Sequence, residues 1–215
     1  DDSGHTAAEF YTNRTVVHLM TEMLEPQPGE SIYDPTCGSG GMLIQTRDYI
    51  RECGGDPRDL SLFGQESIGT TWSICKMNML LHGISHADIR QEDTLRRPQH
   101  KAESNELKRY DRVLANPPFS QNYIKKDIEY PGRFAVWMPE KGKKADLMFV
   151  QHMLAVLAQQ REAALIKILI DDPRLARIDK ARVWKLLVHR RNGLEQIVKA
   201  LFLHEPASKA DERHL

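Results

Sequence analysis

Two short phrases carry the chemistry of this chain: Asp34-Pro35-Thr36-Cys37-Gly38-Ser39-Gly40-Gly41 and Asn116-Pro117-Pro118-Phe119. In the second, the side-chain oxygen of Asn116 and the backbone carbonyl of Pro117 can both accept hydrogen bonds from a single NH₂ group. An exocyclic amine is a poor nucleophile because its lone pair is delocalised into the ring. Two acceptors that hold the nitrogen toward a tetrahedral shape restore that lone pair. Pro117 and Pro118 stiffen the loop and remove competing backbone donors. Phe119 offers a flat face on which an extruded base can stack. Catalysis at such a site is mainly orientation and electrostatics.

The glycine phrase suits a ligand cradle. Gly38, Gly40 and Gly41 allow backbone conformations closed to other residues and let a ligand approach closely. They also put amide N–H groups at a helix N-terminus, which favours a carboxylate such as methionine's. A tight strand-to-helix turn with no ligand would use the same residues. Glu66, about 30 residues on, ends the next expected strand, where a carboxylate can accept from ribose hydroxyls. Asp93, after the third, can accept from an adenine amino group or cap a turn.

The elements that must position these groups alternate along the chain. Val16, Leu19, Met20 and Met23 give Thr15 to Leu24 helical spacing, and Pro26 to Gly29 ends that helix. Ser31-Ile32-Tyr33 is a short strand before the glycine phrase. Met42, Leu43, Thr46 and Ile50 mark a second helix, closed near Gly54-Gly55. Leu62 to Glu66 is a second strand. Ser67 is placed to cap a helix with a stripe of Ile68, Trp72, Cys75 and Met79, ending at Gly83. Ala87 to Arg90 is a third, weaker strand, and Arg96 to Arg109 a polar surface insertion. Arg112 to Ala115 then delivers Asn116. This β-α-β-α-β order implies an α/β fold with a parallel doubly wound sheet. Both phrases follow strand C-termini, where open α/β sheets bind ligands.

Composition narrows the function. The chain has 215 residues, enough for one domain with a sizeable core. Thirty basic and thirty acidic residues leave no formal net charge, whereas a protein that grips a phosphate backbone alone is usually basic. Nucleic-acid contact is therefore expected to be local or shared with a partner. Cys37, Cys53 and Cys75 have neither metal-ligand spacing nor an even number for a disulfide framework. A reducing, cytoplasmic setting is expected. No apolar stretch approaches a membrane span, and the polar N-terminus does not read as a signal peptide. The chain does not begin with methionine, and residues upstream are expected.

In this order the phrases resemble the modification (M) subunit of type I restriction-modification systems, an N6-adenine DNA methyltransferase. The resemblance rests on Glu9-Phe10-Tyr11-Thr12-Asn13-Arg14, the Asp34 to Gly41 loop, Glu66, Asp93-Thr94 and Asn116 to Phe119. It continues through Gly132-Arg133-Phe134 and Ala145-Asp146-Leu147-Met148-Phe149-Val150-Gln151-His152, covering about residues 4 to 158. It implies a Rossmann-like fold that uses S-adenosylmethionine, incomplete here in its C-terminal half. The Glu9 to Arg14 phrase would contact the cofactor's methionine end, and Glu66 and Asp93-Thr94 its ribose and adenine. The implied partners are DNA, a specificity (S) subunit, a second M subunit and the restriction (R) subunit. The family usually has proline where this chain has Asn13, which would loosen that turn.

Other readings of the catalytic phrase are a methyltransferase for RNA guanine N2 or protein glutamine, and a truncated non-catalytic scaffold. The extended glycine loop and the Phe-Tyr-Thr phrase favour DNA adenine. Gln121 to Lys144 is basic and aromatic, and serves equally as a nucleic-acid contact or as a solvated loop whose aromatics pack on the domain. Asp146 is placed to cap the following helix, with Phe149, Met153 and Val156 inward. Ala163 to Ile170 reads as a buried strand or part of a helix. The division expected is a catalytic domain over 1–160 and a mainly helical segment over 161–215, with apolar stripes after Pro173 suited to docking.

Overall fold

A computed structural model describes residues 12–118, 121–142 and 145–158, and the backbone of 165–167. Its strands are β1 (Ser31–Asp34), β2 (Ser61–Glu66), β3 (Asp88–Gln91), β4 (Arg112–Ala115) and β5 (Leu165–Lys167). They form one sheet in the order β3-β2-β1-β4-β5, and every pairing is parallel. Helix α1 (Arg14–Leu24) precedes β1. Helices α2 (Gly41–Glu52) and α3 (Gly69–Leu81) make the first two crossovers, and α4 (Asp146–Ala155) lies between β4 and β5. The chain steps outward from β1 to β3 and then returns to the other side of β1. The strand order therefore reverses between β1 and β4, where loops diverge and leave a crevice.

Local sequence explains most of these elements. The last three residues of β1 and of β4 are buried, as parallel strands covered on both faces should be. On α2 the expected stripe of Met42, Leu43, Thr46 and Ile50 is buried. The register joins Tyr33 to Phe63 and Val113, and Asp34 to Gly64. The ambiguous segment 163–170 contributes β5, which pairs Val113, Leu114 and Ala115 with Leu165, Ile166 and Lys167. Residues after Pro173, with their apolar stripes, lie outside the described residues.

Three expectations are corrected. On α1 the inward face is Val17, Met20, Thr21 and Leu24, while Leu19 is 50% exposed. Apolar residues cover much of that helix, so periodicity alone could not select the stripe. Thr21 is tolerated inside because its hydroxyl donates to the Val17 carbonyl. Ser67 does not cap α3: the cap position is Ile68, whose amide donates to Glu66 Oε1 at 2.9 Å. Asp146 is the first residue of α4, which begins one position early because Ala145 already has helical angles. As an acidic first-turn residue it complements the helix dipole.

The insertion after β3 is exposed for the most part, but Gln65 clamps it. This buried side chain donates to the carbonyls of Glu92 and Arg97, each at 3.0 Å, and accepts from the Gln99 amide at 2.9 Å. His100 is thereby turned inward, edge-on to Tyr33 and Phe63. Among the described residues no helix is long and apolar enough to cross a membrane, and no cluster of His, Cys, Asp and Glu could hold a metal ion.

Candidate functional site

The glycine loop begins where β1 ends. Asp34 is buried, and its Oδ1 accepts from the Thr36 amide at 3.0 Å. The Cys37 amide donates to the Gln65 carbonyl, tying the loop to β2. Gly38 and Gly40 both have positive φ, 53° and 86°. Gly40 is the cap of α2, and a Cβ there would come within 2.4 Å of Met79 Cε and 2.9 Å of Cys75 Sγ. Backbone conformation and packing both demand glycine at this point. Asn78 on α3 supports the turn from outside by donating to the Ser39 carbonyl at 3.0 Å. That support was not legible in the sequence.

Glu66 reaches the glycine loop directly. Its Oε2 accepts from the Gly38 amide at 3.1 Å, while Oε1 accepts from Ile68. It thus joins the end of β2 to the loop after β1. Asp93 is exposed and acts as a turn residue, accepting from the amides of Leu95 and Arg96 through Oδ1. Thr94 is buried, and its hydroxyl donates to the Pro35 carbonyl at 2.5 Å.

Asn116 emerges from β4 half-buried, followed by buried Pro117 and half-buried Pro118. Its Nδ2 donates to Thr12 Oγ1 at 3.1 Å. Asn13 is the cap of α1, accepting from the Thr15 amide at 2.8 Å. A departure from proline that suggested a looser turn therefore supplies a good helix cap instead. Thr12, Arg14, Asp34, Gly38, Ser39, Gly41 and Asn116 all line one open cavity of about 530 Å³, within the range of small-molecule sites. Thr36 also lines it, and its buried hydroxyl has no protein partner. The structure thus brings the two phrases together at the sheet's switch point. Gly40, Glu66, Asp93 and Thr94 stand outside the lining. Glu9, Phe10, Tyr11 and Phe119 lie outside the described residues.

The aromatic residues after the Asn116 loop pack on the domain. Tyr123 and Phe134 are buried with Leu95, Met148 and Phe149, and Trp137 packs against them. Lys125, Lys126 and Lys141 stay exposed. The aromatics are thus not free stacking platforms, while the lysines keep their charge in solvent.

Burial dominates the electrostatics. It pushes the Asp34 carboxyl up to about 7, against the lowering effect of the Thr36 amide. The Cys37 thiol is raised by its bond to the Cys75 thiol, with Sγ atoms 3.8 Å apart, and by burial. His152 is pulled far below the ordinary histidine range by burial and is neutral. Burial lowers the Arg133 guanidinium to about 10, still charged near neutrality.

A parallel sheet flanked by helices, with two loops meeting at its switch point, is the Rossmann-like architecture of S-adenosylmethionine-dependent methyltransferases. A class I S-adenosylmethionine-dependent methyltransferase from Listeria monocytogenes shares this fold at 16% identity, with a TM-score of 0.52 over 67% of this chain and 41% of its own. More specifically, the chain belongs to the N-6 DNA Methylase family, whose model matches residues 1–198. The methylase subunit of the type I restriction enzyme HindI from Haemophilus influenzae is 33% identical over 165 residues, covering 76% of this chain and 36% of the relative. The EcoEI methylase subunit from Escherichia coli is 33% identical over 207 residues, covering 92% and 39%. A type I restriction-modification methyltransferase subunit from Streptococcus thermophilus superposes with a TM-score of 0.60 at 33% identity, covering 71% of this chain and 33% of its own. The chain spans 36% and 39% of the length of these two curated relatives.

Proposed function

We propose that this chain carries the catalytic part of a DNA methyltransferase that moves a methyl group from S-adenosylmethionine to adenine N6. The observation that carries the reading is the single cavity lined by both the Asp34 to Gly41 loop and Asn116. The donor set suits the cofactor's amino-acid end. Amides at the α2 N-terminus favour a carboxylate, and the Thr36 hydroxyl lacks a protein partner. Asp34, with its carboxyl near 7, becomes a full anion beside a ligand ammonium group. Glu66, Asp93 and Thr94 are proposed for the ribose and adenine, and Glu9, Phe10 and Tyr11 for the methionine end.

S-adenosylmethionine supplies, when bound, a methyl group on positively charged sulfur, whose carbon–sulfur bond breaks with its electron pair left on sulfur. Asn116 and the Pro117 carbonyl would hold the adenine amine by its two protons and turn its lone pair toward that carbon. The nitrogen forms the new N–C bond and releases one proton to solvent. Thr12 would fix the Asn116 amide, and Phe119 would stack on the base.

Recognition of a DNA sequence is proposed to need a specificity subunit, with a second M subunit and the restriction subunit completing a type I assembly. Zero formal net charge gives this chain no overall pull toward a phosphate backbone, and the curated relatives are named as subunits. A cytoplasmic setting accords with the partners. The deciding assay is transfer of tritiated methyl to DNA by the chain with and without a specificity subunit. We expect incorporation at adenine N6, lost in Asn116→Ala while cofactor binding persists. Transfer by Asn116→Ala at the parent rate would sink the mechanism.

A further inference from the structure

The turn over residues 93–97, which follows β3, has carbonyls that it cannot pair by itself. Asp93 Oδ1 accepts from the Leu95 and Arg96 amides, and the Arg97 amide closes the turn on the Asp93 carbonyl at 2.7 Å. Continuing the turn would pair the Thr94 carbonyl with the amide of residue 98, but Pro98 has none. The Leu95 carbonyl would take the Gln99 amide, which donates to Gln65 Oε1 instead. Such orphan carbonyls need outside donors. One segment beyond the Asn116 loop supplies them. Arg133 donates through Nη1 to the Thr94 carbonyl at 3.1 Å and through Nη2 to the Leu95 carbonyl. The Glu129 amide donates to the Arg96 carbonyl at 2.9 Å. Thr94 is also held at its side chain, whose hydroxyl donates to the carbonyl of Pro35, the second residue of the glycine loop.

Packing alone does not call for a guanidinium here. Among the described residues the shielded Nε of Arg133 has no partner, and hydrophobic residues of similar volume often stabilise such a position as well or better. What arginine adds is geometry: a rigid planar fork that reaches two adjacent carbonyls at once. The fork is itself held in place. Nη1 meets His152 Nδ1 on α4, and Nη2 lies 3.4 Å from the Glu129 carbonyl. Thr94, Leu95 and His152 are all buried. Arg133 does not line the cavity, so contact with a ligand there does not explain it.

We propose that Arg133 and Thr94 are positioning residues: the guanidinium fixes the 93–97 turn, and the Thr94 hydroxyl on that turn holds Pro35 and with it the start of the Asp34 to Gly41 loop. The segment after the Asn116 loop thereby sets the shape of the loop after β1. The effect on cofactor affinity rests on reading the cavity as a methyltransferase site; the effect on the loop does not. Arg133→Met is the sharpest probe. It removes the donors, stands outside the cavity, and keeps a flexible apolar side chain beside Phe134, whose ring centre is 4.5 Å from the guanidinium carbon.

The test measures hydrogen exchange without ligand at the Cys37 and Gly38 amides, beside amides paired in the β1–β2 ladder that report global opening, and S-adenosylhomocysteine affinity by calorimetry. We expect Arg133→Met to speed exchange at the loop amides about 5-fold more than in the ladder, and to weaken affinity about 5-fold. Thr94→Val should do the same, and Thr94→Ser should recover both losses. Because both substitutions break one connection, the double variant should disturb the loop no more than the single ones. Parent-like exchange in a folded Arg133→Met, equal acceleration in loop and ladder, or loop effects that multiply in the double variant overturns the proposal. Should Arg133→Met not fold, Thr94→Val against Thr94→Ser decides by the same readouts. If the parent itself fails to bind S-adenosylhomocysteine, the methyltransferase reading falls, and exchange alone judges the positioning.

Discussion

Asn116 and Thr12, 104 residues apart, are joined by one hydrogen bond of 3.1 Å. It links the residue that ends the β4 chemistry to the residue that introduces α1. An amide that donates through its nitrogen keeps its oxygen as an acceptor. The N-terminal phrase therefore does more than border the cavity: it holds the proposed amine acceptor in one orientation.

Thr12→Val should accordingly slow methyl transfer about 5- to 10-fold, the kinetic equivalent of roughly 1 kcal/mol for one hydrogen bond. Thr12→Ser should retain parent activity. Single-turnover rates at saturating cofactor separate this loss from weaker binding. Equal rates for Thr12→Val and the parent would mean that the bond does not position Asn116 for reaction.

Glu66 has two structural duties, at Gly38 and Ile68, besides its proposed contact with ribose. Glu66→Ala should weaken S-adenosylhomocysteine binding by about 1–3 kcal/mol, the range for hydrogen bonds to charged groups. It should also lower the melting temperature without ligand. Glu66→Gln keeps one acceptor oxygen and should recover part of each. Calorimetry and thermal denaturation read the two losses separately; unchanged affinity in Glu66→Ala would remove this residue from the site.

Gly40→Ala should destabilise the protein strongly. A left-handed conformation costs an L-residue roughly 1–2 kcal/mol, and crowding a packed interior adds roughly 1–3 kcal/mol. The crowding atoms are Met79 Cε and Cys75 Sγ. Adding Met79→Ala should relieve part of that crowding but none of the backbone strain. Denaturant titration of the single and double variants checks this; parent-like stability for Gly40→Ala would contradict the packing.

Asp34 gives the site a pH signature. Its folded carboxyl titrates near 7 rather than at 3.8 because burial disfavours the anion. Between those values the folded protein holds a proton that the unfolded chain has lost. Stability from this group is therefore complete below about 4 and falls as pH rises toward 7, by on the order of 4 kcal/mol in the limit. A ligand ammonium favours the anion, so S-adenosylhomocysteine affinity should rise with pH up to about 7. Asp34→Asn should flatten both profiles. Identical pH dependence in parent and Asp34→Asn, by denaturation and calorimetry, would rule out this carboxyl as the source.

The sequence by itself determined the alternation of helices and strands, the positions of both chemical phrases, and their placement after β1 and β4. These properties are local. A glycine run after an apolar strand, or an Asn-Pro-Pro phrase after another, shows its chemistry within a few residues. What only the tertiary structure decided depends on distant partners. Which stripe of α1 faces inward is set by the sheet, because apolar residues cover much of that helix. The polar insertion after β3 turns His100 inward because Gln65, on another strand, binds its backbone. The pairing of Asn116 with Thr12, and that of Arg133 with His152 and the Thr94 carbonyl, joins residues with no sequence periodicity in common. A hydrogen bond needs two atoms about 3 Å apart, and a linear pattern cannot say which polar residues the folded sheet will bring that close.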